Sequence, residues 1–243
     1  MKSERPGGRQ ASDGIDKRPA RVAAMFDAIA ARYDFLNHLL SAGFDRHWRT
    51  RAIRSLALAG GETVVDVCTG TADVALAAVG AAPPARRVIG IDFSAEMLRL
   101  GAAKVRGSRI ALARGDATRL PLPDAVAEGA TVAFGIRNVE QPERGLAEMY
   151  RVLRPAGRIA ILEFSIPGSA LVRAFYLPYF RFVLPRIGRL VSGHRSAYTY
   201  LPASVHGFIP PAVMLALLEG CGFREPRATP LTFGIVTLYT GVK

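Results

Sequence analysis

A short polar segment that follows an apolar run has the residue types of a nucleotide-binding turn. Thr63–Val67 has a pattern typical of a buried strand, Cys68–Asp73 follows it, and Ala72–Val79 has a helical pattern. Small residues let the backbone of such a turn approach a ligand closely, and the N-terminus of the following helix offers unpaired N–H groups. The sequence therefore predicts a ligand site at this turn, with Asp66 and Gly70 among its residues.

Two further aspartates follow the next two strand patterns. Val88–Ile91 leads into Asp92, whose carboxylate can accept hydrogen bonds from a ribose diol, with Phe93 beside it in the predicted site. Ile110–Ala113 leads to Asp116, which is placed to meet the adenine side of a nucleoside. A single aspartate at such a position is commonly a helix cap or turn residue. Three aspartates at the ends of three successive strands favour a ligand that all three contact.

The glycine pattern and the charges of the turn limit which nucleotide it can bind. The dinucleotide fingerprint GxGxxG and the phosphate-binding loop GxxxxGK[ST] are both missing from the segment. The turn has a single glycine, Gly70, and the carboxylate of Asp73 would repel a pyrophosphate. A nucleoside without phosphates fits better, and S-adenosylmethionine is the commonest such ligand. We therefore expect S-adenosylmethionine as co-substrate.

The elements that would position these residues alternate between strand and helix. Beyond the turn, the patterns predict the strands Ala130–Phe134 and Arg158–Glu163, a helix around Pro142–Leu153, another at Pro211–Leu218, and a closing strand pair between Arg224 and Tyr239. Such alternation is typical of a parallel sheet with helices on both faces. Ligands of these sheets bind at the carboxyl ends of the strands, where all the polar clusters above lie.

The chain before the first strand is predicted to be helical. Apolar residues at helical spacing indicate one helix from Pro19 to about Leu40, and Gly43 separates it from a second helix that carries Trp48. Residues 1–19 are polar and predict a disordered tail, which leaves 20–243 as a single domain. An apolar and basic insertion at about 167–209, with helical pieces, interrupts the alternation after the fifth strand.

Composition excludes several other classes of protein. No apolar run reaches the roughly 18 to 20 residues that span a bilayer, and the first twenty residues lack the apolar core of a secretory signal. These features predict a cytoplasmic protein. Cys68 and Cys221 form no CxxC pair, and the four histidines lack the spacing of metal ligands, so we expect neither a disulfide nor a metal site.

The chain carries a net charge of +12, and the charge is unevenly distributed. Between Glu163 and Glu219 there is no acidic residue, while five arginines fall there among many aromatic and aliphatic residues. One interpretation is a basic surface over an ordinary core, and the other is contact with an anionic membrane. The sequence leaves both open.

Several segments together resemble the ubiquinone/menaquinone biosynthesis C-methyltransferases. The segments that carry the resemblance are Tyr33-Asp34-Phe35-Leu36-Asn37 with Ser41, Gly43 and Trp48, Phe134-Gly135-Ile136-Arg137-Asn138-Val139, Arg151–Ile159 ending in Leu162–Ser165, Ala197-Tyr198-Thr199-Tyr200-Leu201, and Thr232–Val236. The match covers about residues 20 to 243. It implies a class I, Rossmann-like methyltransferase fold, with a mostly parallel seven-stranded sheet, helices on both faces, a helical N-terminal segment and a helical insertion.

By this resemblance, the chain transfers a methyl group from S-adenosylmethionine to a ring carbon of a polyprenylated quinol. The substrate class is demethylmenaquinol, a methoxy-polyprenyl-benzoquinol, or both, and demethylmenaquinol is favoured because many bacteria have only that quinone. The family positions that bind the methyl donor correspond here to Thr71, Asp92, Asp116 and Ala117. Ala133 stands where the family often has serine.

Two alanines stand where glycine is usual in the family. These are Ala72 and Ala156, and alanine is tolerable there only if neither position needs a positive φ.

Carbon methylation needs an electron-rich ring carbon, which a quinol provides when its hydroxyl is held as a phenolate. At the end of the fourth strand, Arg137 is the candidate that stabilises the phenolate, because arginine is a poor base but a good electrostatic partner. Asn138 would orient an oxygen. Tyr33, Tyr200 and His206 are candidate wall or proton-relay residues, and each also has an ordinary structural interpretation.

The insertion suits a lipid-dissolved substrate. Its mixture of bulky apolar and basic residues predicts a transient, peripheral contact with the anionic inner face of the membrane. Rival interpretations are a nucleic-acid methyltransferase, a small-molecule O- or N-methyltransferase, and a binding protein with a vestigial donor site. The missing Asn/Asp-Pro-Pro-Tyr type motif speaks against nucleic acid as a partner. A homo-oligomer is left open.

Overall fold

The computed structural model describes residues 18–183, 186, 200 and 203–243. Residues 1–17 of the predicted disordered tail, the segment 197–201 apart from Tyr200, and residues 184–202 of the insertion apart from 186 and 200 lie outside the described residues. The helices are α1 (Pro19–Leu40), α2 (Phe44–Ser55), α3 (Asp73–Val79), α4 (Ala95–Lys104), α5 (Pro142–Val152), α6 (Ala170–Pro178) and α7 (Pro211–Gly220). The strands are β1 (Thr63–Val67), β2 (Arg87–Asp92), β3 (Ile110–Arg114), β4 (Ala127–Ala133), β5 (Leu153–Phe164), β6 (Arg224–Leu231) and β7 (Val236–Val242).

Helix α1 begins and ends where the sequence predicts, and α2 begins directly after Gly43 as predicted. Pro19 is the first residue of α1, where its missing N–H and fixed φ are favourable, and Gly43 precedes α2 with φ +79°. Ser94 caps α4, because its hydroxyl accepts the N–H of Met97 at 3.1 Å.

The seven strands form one sheet in the order β3-β2-β1-β4-β5-β7-β6. Strands β1 to β5 are parallel, and β7 runs antiparallel between β5 and β6, which confirms the mostly parallel seven-stranded sheet. The last residue of β1, Val67, is paired with Ile91 of β2 and with Val132 of β4. The turns that follow β1, β2 and β4 therefore meet at one edge of the sheet, where the strand order reverses.

Helices cover both faces of the sheet, and neighbouring residues of β1 point to opposite faces. Val65 packs into a core with α5 and α7, while Val64 packs into a second core with α2 and α3. A third, smaller core joins α1 to α6 through Leu36 and Tyr176. Helices α1 and α6, which do not belong to the strand–helix alternation, thus pack together near the edge of the sheet where the turns meet.

The structure corrects two expectations about the backbone. Strand β5 begins at Leu153, five residues before the predicted Arg158, and so includes Ala156. Ala72 and Ala156 both adopt positive φ, +69° and +65°, so the condition for tolerating alanine there is not met. A side chain in this left-handed region costs about 1–2 kcal/mol relative to glycine. The two departures from the family pattern are therefore sites of backbone strain.

Replacing Ala156 with glycine is expected to stabilise the protein by about 1 kcal/mol, because the exposed Ala156 loses strain and few contacts. The midpoint temperature of thermal unfolding should then rise by roughly 2–4 °C. The matched control is Ala102→Gly, at an exposed position inside α4, which is expected to destabilise by about 0.5–1 kcal/mol. An Ala156→Gly protein that unfolds at a lower temperature than the wild type would contradict this account of the strain.

Candidate active site

Two cavities lie at the edge where the turns meet, and they share a wall. Both open to solvent, and with the solvent space at their mouths included, the smaller has a volume of about 1020 Å³ and the larger about 1810 Å³. Six residues line both cavities, namely Phe26, Tyr33, Cys68, Gly70, Ala133 and Phe134. A group bound in one cavity can therefore meet a group bound in the other across this shared wall.

Asp92 lies in the smaller cavity with its carboxylate held by backbone donors. One oxygen accepts the N–H of Gly70 at 2.7 Å and the other accepts that of Ser94 at 2.8 Å. Burial raises the pKa of this carboxyl above its usual range, and the backbone N–H groups oppose that shift. Gly70 has φ +56°, a conformation that favours glycine and brings its N–H to Asp92. This hydrogen bond thus fixes the turn after β1 against the carboxyl end of β2.

The other predicted residues of the donor site line the same cavity. Phe93, Asp116 and Ala117 all lie in its wall. Asp116 is fixed by Thr118, whose N–H and hydroxyl both donate to one carboxylate oxygen at 2.8 Å. The Arg114 guanidinium lies 5.7 Å from the centre of the Phe93 ring. The structure therefore brings together Asp92, Phe93, Asp116 and Ala117, as the sequence predicted.

Asp66 and Thr71, by contrast, do not line the smaller cavity. Asp66 is almost fully buried inside β1, and its two oxygens accept hydrogen bonds from the hydroxyls of Thr69 at 2.5 Å and Thr131 at 2.7 Å. Burial raises the pKa of Asp66 to about 6. This residue braces the turn from inside the sheet, so its prediction as a direct donor contact is corrected.

Thr71 faces a network of charged side chains. Its hydroxyl donates to Asp34 and accepts from Lys104 at 3.0 Å, and Lys104 also binds Asp73 at 2.6 Å. Arg49 pairs with Asp73 as well. Because Asp73 is neutralised by these two cations and lines only the larger cavity, its charge is not what excludes a pyrophosphate from the donor site.

The larger cavity contains most of the residues predicted to be catalytic. Arg137 lies in its wall, is about 5% exposed, and forms an ion pair with Glu163 at 2.6 Å. Tyr200 also lines it and donates its hydroxyl to the Oδ1 atom of Asn138 at 3.1 Å, while Asn138 itself lines the smaller cavity. Tyr33 lines both, and burial raises the pKa of its phenol. These four side chains therefore meet at the junction of the two cavities.

His206 is not brought to this junction. It lies on the exposed surface, just before the turn at 207–208, and lines neither cavity. We therefore remove His206 from the candidate catalytic set.

Aromatic side chains form much of the wall of the larger cavity. The Phe134 and Phe164 rings lie 4.6 Å apart, and Trp48 meets both edge-on at 5.9 and 6.3 Å. The indole N–H of Trp48 donates to Thr232 at 2.7 Å, which fixes the ring. Together they offer flat apolar surfaces that suit an aromatic acceptor.

Comparison with known proteins identifies the chain. Residues 15–243 match the model of the ubiE/COQ5 methyltransferase family. The chain belongs to this family.

Its relatives match it over almost their whole length. The ubiquinone/menaquinone biosynthesis C-methyltransferase of Syntrophotalea carbinolica is 47% identical over 95% of this chain and 95% of that protein. The demethylmenaquinone methyltransferase of Deinococcus radiodurans is 45% identical, again over 95% of both chains. The protein is therefore an S-adenosylmethionine-dependent methyltransferase.

Solved structures agree on the fold. A SAM-dependent methyltransferase of Thermotoga maritima has a TM-score of 0.64 at 18% identity, covering 91% of this chain and 99% of that one. The phosphoethanolamine N-methyltransferase 2 of Haemonchus contortus, in complex with S-adenosyl-L-methionine, has a TM-score of 0.58 at 14% identity, covering 78% and 52%. The predicted class I methyltransferase fold is thereby confirmed.

The smaller cavity of this methyltransferase fits the chemistry of S-adenosylmethionine. A nucleoside offers hydroxyl and amino donors, and the cavity presents the acceptor carboxylates of Asp92 and Asp116. Met97 and Phe93 add apolar surface for the adenine ring. Asp92 is the residue that would accept from the ribose, and Asp116 from the adenine.

Sequence reasoning missed two contributors to the site. One is Asp27 of α1, the helix that also carries the predicted wall residue Tyr33: Asp27 links α1 to α4 by accepting from the Ser94 hydroxyl and, at 3.1 Å, from the Glu96 N–H. Glu163, fully buried, holds Arg137. The signal for Glu163 was its position at a strand's carboxyl end, like the aspartates of the donor site.

Proposed function

We propose that this methyltransferase moves a methyl group from S-adenosylmethionine to a ring carbon of a polyprenylated quinol, with demethylmenaquinol as the substrate. The observation that carries the proposal is the shared wall between the donor cavity and a larger aromatic cavity containing Arg137. The relatives' names support the same acceptor, since one is called a demethylmenaquinone methyltransferase.

The acceptor cavity must ionise the quinol, align its ring carbon with the donor methyl group and allow the ring proton to leave. The quinol needs an ionised hydroxyl so that the neighbouring ring carbon becomes nucleophilic. That carbon must lie in line with the methyl group, because alignment supplies much of the rate. It then forms the new C–C bond while the C–S bond of the donor breaks and its electron pair stays on sulfur. Loss of the ring proton finally restores the aromatic ring.

The side chains at the junction are suited to these tasks. The Arg137 guanidinium stabilises the phenolate oxygen, because it is a permanent cation on a residue that is only about 5% exposed. Asn138, held by Tyr200, orients the second ring oxygen beside the donor cavity. The aromatic wall formed by Trp48, Phe134 and Phe164 keeps the ring flat against the methyl donor.

Lipid-quinone profiling of cells that lack the gene tests this function. The deletion strain is expected to accumulate demethylmenaquinone and to lose menaquinone, with recovery on complementation. Accumulation of a demethylated benzoquinone instead would replace the proposed acceptor with the ubiquinone precursor. Unchanged quinones would refute the assignment.

We also propose that the larger cavity faces an anionic membrane surface. Exposed large hydrophobic side chains are concentrated on the segments that wall this cavity. We call this set of residues the apolar face, and it consists of Phe35, Leu39, Phe44, Leu171, Phe175, Leu177, Phe182 and Phe233. The described arginines of this region, Arg173, Arg181 and Arg186, are exposed as well, and two of them lie within 6 Å of the Phe182 ring centre. Apolar side chains interleaved with cations suit an anionic bilayer surface.

The contact would be peripheral. No helix among the described residues is long and apolar enough to span a membrane. A bilayer-dissolved quinol could then pass its ring into the larger cavity while its tail stays in lipid.

Replacing Phe175 with serine is expected to lower the partition of the protein onto anionic vesicles about tenfold, because a side chain that is 74% exposed loses its burial in lipid. Flotation with phosphatidylglycerol vesicles measures this, and added salt should weaken binding of the wild type. The matched control is Val213→Ser on α7, a position that is 44% exposed and lines neither cavity. Absent binding of the wild type at low salt would refute the membrane role and leave the methyltransferase assignment intact.

A further inference from the structure

Glu163 is a fully buried carboxylate at the carboxyl end of β5. One oxygen accepts from Arg137 Nη1 at 2.6 Å and from the Phe164 N–H at 2.9 Å, and the other accepts from the Arg137 N–H at 3.3 Å. It lines neither cavity, so it does not touch the donor or the acceptor. Any effect of Glu163 on the reaction must act through Arg137.

The Arg137 guanidinium is held through Nη1, whereas its Nε–H is unused. Nη1 also donates to the carbonyl oxygen of Phe134, and the Arg137 Cζ atom lies 5.5 Å from the centre of the Phe164 ring. Its Nε atom is buried without a hydrogen-bond partner. A buried donor without a partner is costly, and a ligand oxygen that accepted from it would remove that cost. The arrangement thus fits a ligand in the larger cavity.

Glu163 also alters the electrostatic field inside the cavity. The pKa of Tyr200, whose phenol lines the larger cavity, shows that Arg137 and Glu163 act in opposite directions. Burial raises the pKa of Tyr200, the positive charge of Arg137 lowers it, and the negative charge of Glu163 raises it. An acceptor hydroxyl in the same cavity experiences the same two charges, so Glu163 limits how strongly Arg137 favours the phenolate.

We propose that Glu163 is a positioning residue for methyl transfer: it orients the Arg137 guanidinium so that the free Nε–H meets the acceptor's ring oxygen, and it moderates that cation's field. This inference rests on the proposed quinol acceptor. A weaker positive field at the acceptor oxygen favours the reaction. An oxyanion that is stabilised too strongly gives less electron density to the ring carbon, whereas one that is stabilised too weakly does not form.

The test is the pH dependence of kcat for Glu163→Gln with demethylmenaquinol. Glutamine removes the negative charge, so the acceptor hydroxyl ionises more readily. The rise of kcat with pH is expected to move to lower pH by roughly one unit, and kcat at its plateau to fall about tenfold. Affinity for S-adenosylmethionine should stay within twofold of the wild type, because Glu163 does not line the donor cavity.

Glu163→Asp separates position from charge. The shorter side chain cannot keep the 2.6 Å contact but keeps the negative charge, so kcat should fall about tenfold with the pH midpoint unmoved. The matched control is Glu148→Gln, which breaks the Glu148–Arg151 pair at 2.7 Å, and neither of these residues lines a cavity. This control should leave kcat and its pH profile as in the wild type.

Three results would overturn the proposal. One is a Glu163→Gln protein whose pH midpoint does not move, and another is a Glu163→Asp protein with wild-type kcat. The third is failure of both variants to fold, judged by circular dichroism and donor binding, which would assign the carboxylate to stability alone. Failure of the proposed function is recognised separately, because the wild type would then bind S-adenosylmethionine but methylate no quinol.

Discussion

Replacing Asp92 with alanine is expected to weaken S-adenosylmethionine binding about 100-fold, or about 3 kcal/mol. The change removes a carboxylate that the ribose hydroxyls would share with the backbone N–H groups of Gly70 and Ser94. Those two N–H groups would also lose their acceptor, which loosens the turn after β1. Hydrogen bonds to a charged acceptor contribute about 1.5–3 kcal/mol each, so the loss of two explains the size of the effect.

Isothermal titration with S-adenosylmethionine measures this prediction. Asp92→Asn keeps one acceptor oxygen and is expected to fall between the wild type and the alanine variant. Asp124→Ala serves as the control, because Asp124 is an exposed aspartate that pairs with Arg151 and lines neither cavity. Binding by Asp92→Ala within twofold of the wild type would place the methyl donor elsewhere.

Replacing Arg137 with methionine is expected to lower kcat by 10²–10³-fold, the typical effect of removing one donor to a developing oxyanion. Donor affinity should be unchanged, because Arg137 lines only the larger cavity. The variant also leaves Glu163 buried without its partner, which costs about 3–5 kcal/mol of stability. Activity is therefore compared only after donor binding shows that the protein is folded.

Two companion variants separate charge from geometry in this prediction. Arg137→Lys keeps a positive charge but lacks the fork that binds Glu163 and a ligand together, so it should recover only part of kcat. Arg151→Met removes an arginine that lines neither cavity and should leave kcat unchanged. Wild-type kcat in a folded Arg137→Met protein would remove Arg137 from the reaction.

Local periodicity predicted the helices and strands well because the residues that determine each element lie within that element. The apolar residues of α1 and the proline at its start lie within one helix, and the structure begins and ends that helix at Pro19 and Leu40. The strand-end aspartates Asp92 and Asp116 were also recognisable, since parallel strands place their carboxyl ends at one edge.

Long-range contacts were the part that sequence could not supply. Asp66 lies within the predicted strand β1, but its pairing with Thr131 of β4, which turns the Asp66 carboxylate toward the sheet interior, joins residues far apart in the chain. The ion pair of Arg137 with Glu163 joins the ends of β4 and β5. The exposure of His206 depends on how the insertion packs, which no local pattern encodes.

The sequence marked Ala72 and Ala156 as departures from the family's glycines but could not show whether their backbone is strained. Ala72 and Ala156 differ from the usual glycines by one methyl group, and only the structure shows that both positions need a positive φ. Ala72 precedes α3 directly, so its strain lies in the turn after β1. The donor turn thus tolerates strain that a glycine would relieve.

The most direct test of the account is a methyl-transfer assay with the purified protein. Demethylmenaquinol in vesicles is incubated with S-adenosylmethionine carrying a ¹³C-labelled methyl group, and the product is analysed by mass spectrometry and NMR. The account predicts one labelled methyl group on a ring carbon and an equal amount of S-adenosylhomocysteine. A methylated oxygen, or no transfer by a protein that binds S-adenosylmethionine, would contradict it.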